Sequence, residues 1–274
     1  MNRVLRFWAH LPIRIQRLIR KLRITSIMGA YYARVGWPLA GPLVGCRMFC
    51  ATGSAYATGD YEERIARVML RVVKSGWICV DVGAHQGYFT LLLSRLVGED
   101  GQVIAFEAHP ENASLIRRNV DLNGFQRRVR VENWAIADGV QSSMMLYAGR
   151  TEDSSTEWNV MGHDVSGCAA RPMFQIPTIS LDRYFQEGPS PDFVKMDIEG
   201  AEGLALVGMR SLLRQQQPVV LVEFHNAMTW AARVELLAAG YDLWALEDGQ
   251  QKLKAPDDET RAYYCLAMPR TWTA

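Results

Sequence analysis

Two groups of residues in this chain have the types and spacing to do chemistry. The first is the run Val80-Asp81-Val82-Gly83-Ala84-His85-Gln86-Gly87, followed by Glu107, 24 residues after Gly83. The second places Lys195, Asp197 and Glu199 at alternate positions, and Glu223 and His225 likewise. Glycines after a strand let the backbone approach a ligand, and an acid after the next strand takes ribose hydroxyls, so the first group points to a nucleotide. A dinucleotide site wants G-x-G-x-x-G to seat a pyrophosphate at a helix N-terminus. Here Asp81, Gly83 and Gly87 stand in D-x-G-x-x-x-G order, with Ala84-His85 where the second glycine would be. A carboxylate at Asp81 repels phosphate but suits a cofactor carrying an amino group and a sulfonium. That favours S-adenosylmethionine over a nicotinamide dinucleotide.

The second group supplies acid-base chemistry. Lys195 and Asp197 are two apart and share a face of one strand, where a charged pair is costly unless mutually compensated, so they form a structural ion pair or a catalytic unit. Asp197 or His225 is expected to accept a proton from an attacking hydroxyl, and Glu199 to orient the substrate or a metal. Glu199 and Glu202 also read as acids favoured at a helix N-terminus. Asp197, Glu199, Glu223 and His225 could together hold a hard divalent cation, although no spacing requires a metal.

These residues need a sheet to bring them together. From Tyr61 onward, short apolar runs alternate with helical stretches, the pattern of a doubly wound α/β fold with a mostly parallel sheet. Helices are expected at about 61–74, 88–97, 111–123, 201–215 and 227–239. Strands are expected at 77–81, 102–107, 128–133, 142–147, 193–197, 219–224, 241–246 and 262–268. Residues 149–175, rich in Gly, Ser, Thr and Asp and carrying Trp158, His163 and Phe174, read as a long irregular insertion, of the kind that commonly serves function. A substrate lid is the expectation.

Taken in order, VDVGAHQGYFTLLLSRLVGEDGQVIAFEAHPENASLIRRNVDLNG, ISLDRYF, FVKMDIEGAE and VVLVEFH resemble the FkbM-type family of S-adenosylmethionine-dependent methyltransferases. The resemblance covers about Trp77 to Phe224, and D-I-E-G-A-E is its most specific element. It implies a class I methyltransferase fold, Rossmann-like, with seven strands of which the last is antiparallel. It also implies O-methylation of a hydroxyl, often on a sugar, a glycolipid or a secondary metabolite. Carried over by position, Asp81, Gly83, Ala84, His85 and Gly87 match the cofactor loop and Glu107 the ribose acid. His85 stands where the family often has Asn. Asn133, Trp134 and Ala135 end the third strand, at the level expected for the adenine; Trp134 reads as a core aromatic, with a place beside the adenine as the alternative.

Charge distribution divides the chain. Of 30 basic and 29 acidic residues, nine basic and no acidic ones lie before Asp60, leaving 21 against 29 and a balance of −8 for the rest. With 49% apolar and 22% charged residues the composition is globular, not disordered. Val4, Trp8, Leu11, Ile15, Leu18, Ile19 and Leu22 recur at helical steps between arginines, which predicts amphipathic helix in a basic N-terminal arm within residues 1–59, ahead of a methyltransferase domain at 60–274. Such a helix lies on an anionic membrane or packs its apolar side on the body. Five cysteines without a C-x-x-C pair, no secretory signal and no long apolar run suit a cytoplasmic protein, peripheral at the inner face of the membrane if the arm binds lipid. The acidic body, and the absence of a Pro-Pro-aromatic run after Asp197, make a nucleic-acid methyltransferase the weaker reading. A non-catalytic, cofactor-binding scaffold recruited by the arm is the alternative of a different class. Deleting residues 1–24 is expected to leave cofactor affinity intact and to weaken binding to anionic vesicles, measured by co-sedimentation; a full chain that ignores vesicles would make the arm a packing element.

Overall fold

The computed structural model describes residues 35–50, 56, 61–149, 158–161, 171–225, 227–246, 251–252 and 264–272. The basic arm to residue 34, His163 and the expected helix of the arm lie outside them. The chain opens with a small hairpin, β1 (Trp37–Pro38) and β2 (Arg47–Met48), then runs through α1 (Glu63–Val72), β3 (Ile78–Val82), α2 (Tyr88–Leu96), β4 (Gln102–Phe106), α3 (Pro110–Asn123) and β5 (Val129–Glu132). There follow β6 (Ala135–Ile136), β7 (Ser143–Gly149), β8 (Trp158–Met161), β9 (Arg171–Ile179) and α4 (Leu181–Tyr184). The last part holds β10 (Phe193–Met196), α5 (Glu202–Val207), α6 (Arg210–Gln215), β11 (Val219–Glu223), α7 (Ala227–Ala231), α8 (Arg233–Ala238), β12 (Tyr241–Ala245), β13 (Gln251–Lys252) and β14 (Tyr264–Pro269).

The main sheet has the order β13-β12-β14-β11-β10-β3-β4-β5. Strands β11, β10, β3, β4 and β5 are parallel, and β14 inserts antiparallel between β11 and β12. This is the seven-stranded, doubly wound class I methyltransferase sheet with its last strand reversed, extended at one edge by the two-residue β13. Alternation along the strands divides the core. Cys79, Val103, Phe193, Val219 and Leu221 pack under α1 and α2, whereas Val80, Val82, Ile104, Val194, Met196, Val220 and Val222 pack on the opposite face under α5 to α8. Asp81 and Lys195 therefore share the α1–α2 face with Cys79 and Phe193.

Three sequence expectations change. The insertion is not irregular throughout: β8 and most of β9 fall inside it, and with β6 and β7 they form a second sheet of order β6-β9-β7-β8. Pro172 and Pro177 lie within β9 and donate no ladder hydrogen bond, which hid the strand from a pattern reading. The expected 201–215 helix is two helices, α5 and α6, broken at Gly208-Met209. Asp182 re-caps the second by accepting from Ser211 N and Leu212 N, each at 2.9 Å. The 227–239 helix likewise divides into α7 and α8.

The connector is built into the body. Leu39, Leu43 and Met48 are buried in the α1–α2 core, and Asn119 and Asn123 of α3 bond the backbone of Phe49 and Arg47 in both directions. Among the described residues no helix is long and apolar enough to cross a membrane.

At the break, position 208 has no room for a side chain. A Cβ there would lie 2.0 Å from the Ala137 carbonyl oxygen, where the second sheet meets α5. Gly208→Ala is expected to cost about 1–3 kcal/mol in urea unfolding; a loss under ~0.5 kcal/mol would show that this contact gives way freely.

Candidate active site

The loop between β3 and α2 is left-handed at Gly83 (φ 78°), His85 (φ 51°) and Gly87 (φ 92°). Gly83 admits no side chain: a Cβ would stand 1.8 Å from the Asp197 carbonyl oxygen. Gly83 N and Ala84 N both donate to Phe106 O, and His85 N donates to Glu107 Oε2 at 2.7 Å. His109 N donates to the other oxygen, Oε1, at 2.8 Å. Burial pushes Glu107 up to about 7 despite these two backbone donors and the Asn112 side chain, which also donates to this carboxylate. A carboxylate offers about four acceptor positions, so capacity for a further hydroxyl remains. The Asn133 amide donates to Glu107 O and Ala108 O, each at 2.8 Å, and so holds the loop that follows the acid. Ala135 is buried with Leu146, Ile176 and Ala201, and Trp134 packs against the α5–α8 core.

Asp81 is fully buried, beneath the loop. Thr90 of α2 donates to its Oδ2 at 2.6 Å, and its Oδ1 has no hydrogen bond, only the Lys195 ammonium at 3.7 Å. Lys195 also donates to Asp197 Oδ2 and to Gly83 O, each at 3.3 Å, and lies over the Phe89 ring. Burial alone would lower this amine, but the charges of Asp197, Asp81 and Glu62 outweigh it and raise the pKa, so Lys195 stays an ammonium.

At the ends of β10 and β11 four carboxylates surround His225. Its Nδ1 lies 2.8 Å from Glu202 Oε1, and its Nε2 lies 3.3 Å from Glu199, 3.5 Å from Asp197 Oδ1 and 3.9 Å from Glu223. Glu202 Oε1 also accepts from Ile198 N and Gly200 N, which locks this carboxylate in place. Burial acts to lower the imidazole, but the Glu202 bond and the charges of Glu202, Glu199 and Glu223 raise it to about 9. Burial, with Asp197 adding to it, pushes both Glu199 and Glu223 up to about 7. Glu199 is a non-glycine residue in the left-handed region (φ 53°). Donor atoms of Asp197, Glu223 and His225 lie within 4.8 Å of one another.

Residues 81–243, more than half of the chain, match the methyltransferase FkbM domain family. The chain belongs to the FkbM methyltransferase family. It is similar to the FkbM methyltransferase of Methylobacillus flagellatus KT at 17% identity, over 74% of this chain and 50% of that one, with a TM-score of 0.45. It thus spans half the length of that protein. It is also similar to an S-adenosylmethionine-dependent O-methyltransferase of Thermotoga maritima (14% identity, 76% of this chain and 65% of that one, TM-score 0.44). Fibrillarin of Aeropyrum pernix, solved with bound S-adenosylmethionine, is similar at 10% identity, over 75% of this chain and 74% of that one, with a TM-score of 0.44.

Residues outside the FkbM match also reach the site. Tyr264 of β14 donates to Glu62 Oε2 at 2.7 Å, and Tyr56 bonds His85 Nδ1 at 2.7 Å. Local sequence gives no sign of either, because their partners lie 202 and 29 residues away. From the insertion, Phe174 sets its ring edge-on to His109, 5.2 Å between centroids. Trp158 is in β8.

The raised groups make stability fall with pH. Glu199 and Glu223 hold protons in the folded state up to about 7, so their contribution is full below about 4.5 and lost as pH rises to 7. That of His225 is full below 6.5 and lost as pH rises through about 9. Urea unfolding is expected to show Glu223→Gln flattening the decline between about pH 5 and 8; an unchanged decline would remove Glu223 as its source.

Proposed function

We propose that this FkbM methyltransferase transfers the methyl group of S-adenosylmethionine to a hydroxyl of a sugar, glycolipid or secondary metabolite. The observation that supports it is the continuous ion network Asp81–Lys195–Asp197–His225, which ties the cofactor loop to a cluster of acids at the neighbouring strand ends. Glu107 would take the ribose hydroxyls, and the left-handed loop Gly83-Ala84-His85 would lie along the cofactor. Asn133 and Ala135 would lie at the level of the adenine. The excess of carboxylate around Lys195 and His225 suits a sulfonium and an ammonium.

In the step itself the acceptor oxygen attacks the methyl carbon, the carbon–sulfur bond breaks with its electron pair remaining on sulfur, and the hydroxyl proton passes to a protein base. Alignment of oxygen, carbon and sulfur can contribute about 7–11 kcal/mol. For the base we assign Glu199 rather than Asp197 or His225. His225 is held as the imidazolium, and one Asp197 oxygen is occupied by Lys195. Glu199, near 7, is matched to a neutral operating pH, and its side chain is the most accessible of the four acids around His225. Asp197, Glu223 and His225 are the residues that would hold a divalent cation, the imidazole giving up its Nε2 proton to do so, and the cation would lower the hydroxyl pKa as a Lewis acid. The second sheet, which sets Phe174 against His109, would wall the acceptor side, and the basic arm would bring the enzyme to anionic membrane.

Mass spectrometry of metabolites and glycolipids from cells with and without the chain is expected to identify the acceptor. With it, Glu199→Gln should lower turnover by about 10²- to 10⁴-fold while S-adenosylhomocysteine binding is retained. Full activity in Glu199→Gln would return the role to Asp197, tested by Asp197→Asn beside His225→Ala. A chain that binds S-adenosylhomocysteine but methylates nothing would favour the scaffold reading.

A further inference from the structure

We propose that Tyr56 is a positioning residue for the cofactor, holding the His85 imidazole and through it the left-handed backbone whose N–H fixes Glu107. Tyr56 lies before the family match, the one aromatic in the otherwise small and polar run Ala51 to Asp60. It is nonetheless 7% exposed. Its ring stacks on Tyr88 of α2 at 5.6 Å and 25°, and its centroid is 4.4 Å from that of Tyr61, which also hydrogen-bonds it. This packing aims the hydroxyl at His85 Nδ1, 2.7 Å away. Burial, with the Lys195 charge, lowers the His85 pKa and favours the neutral ring; since Tyr61 donates to the Tyr56 oxygen, we assign the tautomer in which Nδ1 accepts the Tyr56 proton.

His85 needs such an anchor because a residue with a Cβ is disfavoured at φ 51° and persists there only when its surroundings hold it. From that conformation its N–H reaches Glu107 Oε2, while His109 N takes Oε1, and the carboxylate is held from both sides. Release of the imidazole would free the left-handed residue to relax, and with it one of the two backbone donors that orient the acid toward the ribose.

The proposal rests on the cofactor reading above. Calorimetry of S-adenosylhomocysteine binding to the full chain tests it with a four-member cycle: wild type, Tyr56→Phe, His85→Gly and the double variant. Phe keeps the ring stack and removes only the hydroxyl, and Gly adopts positive φ without an anchor. Tyr56→Phe is expected to weaken binding about three- to ten-fold, the range of one neutral hydrogen bond. In the His85→Gly background the same change is expected to have no effect. A purely structural Tyr56 would lower the thermal midpoint without this coupling. Wild-type affinity in Tyr56→Phe, or an equal loss in both backgrounds, overturns the proposal while leaving the cofactor reading intact. Absence of binding by the wild type overturns both.

Discussion

The Lys195 ammonium, buried between Asp81 and Asp197, is the interaction on which the rest of the site depends. It joins adjacent strands β3 and β10, in register at Lys195 and Asp81, and also reaches the Gly83 carbonyl of the loop between β3 and α2. Desolvating three charges is tolerable only as a set: removing one partner from such a group costs about 3–5 kcal/mol because it leaves an uncompensated charge. The strand ends are thereby held in one arrangement. The loop is drawn so close to Asp197 that position 83 has no room for a Cβ.

From that anchor the charges are arranged outward. Asp197 gives Oδ2 to Lys195 and turns Oδ1 to His225, so the ion network passes from beneath the β3–α2 loop to the acid cluster without a gap. Glu202, pinned by two backbone N–H groups, orients the imidazole from its other nitrogen. Burial raises Glu199, Glu223 and Glu62, and the charge of Asp197 adds to it in each, because carboxylates outnumber cations here. A cationic ligand relieves that repulsion.

Strain is concentrated in the same place. His85 and Glu199, two of the four non-glycine residues with positive φ among the described residues, stand at the loop between β3 and α2 and at the acid cluster. Each is held by tertiary contacts, His85 by Tyr56 and Glu107 and Glu199 by the imidazole. Backbone in this region persists only where surrounding structure over-determines it, and functional sites are where such residues gather.

The parallel sheet, the glycine loop after β3, the position of Glu107 after β4 and the Lys195–Asp197 pair were legible from residue order, because alternation along a strand and a glycine at a strand end are local properties. Strand β9 was hidden by Pro172 and Pro177, and the break between α5 and α6 by the Asp182 cap, which no local window contains. Tertiary structure alone decided that Asp81 is a buried counter-ion beneath the loop, and that His225 is an imidazolium held by four acids. It also decided that Tyr56, Glu62 and Tyr264 close the site from outside the matched family segment. Each of those facts depends on distances between residues far apart in the chain and on how much water is left around them, and a linear pattern carries neither.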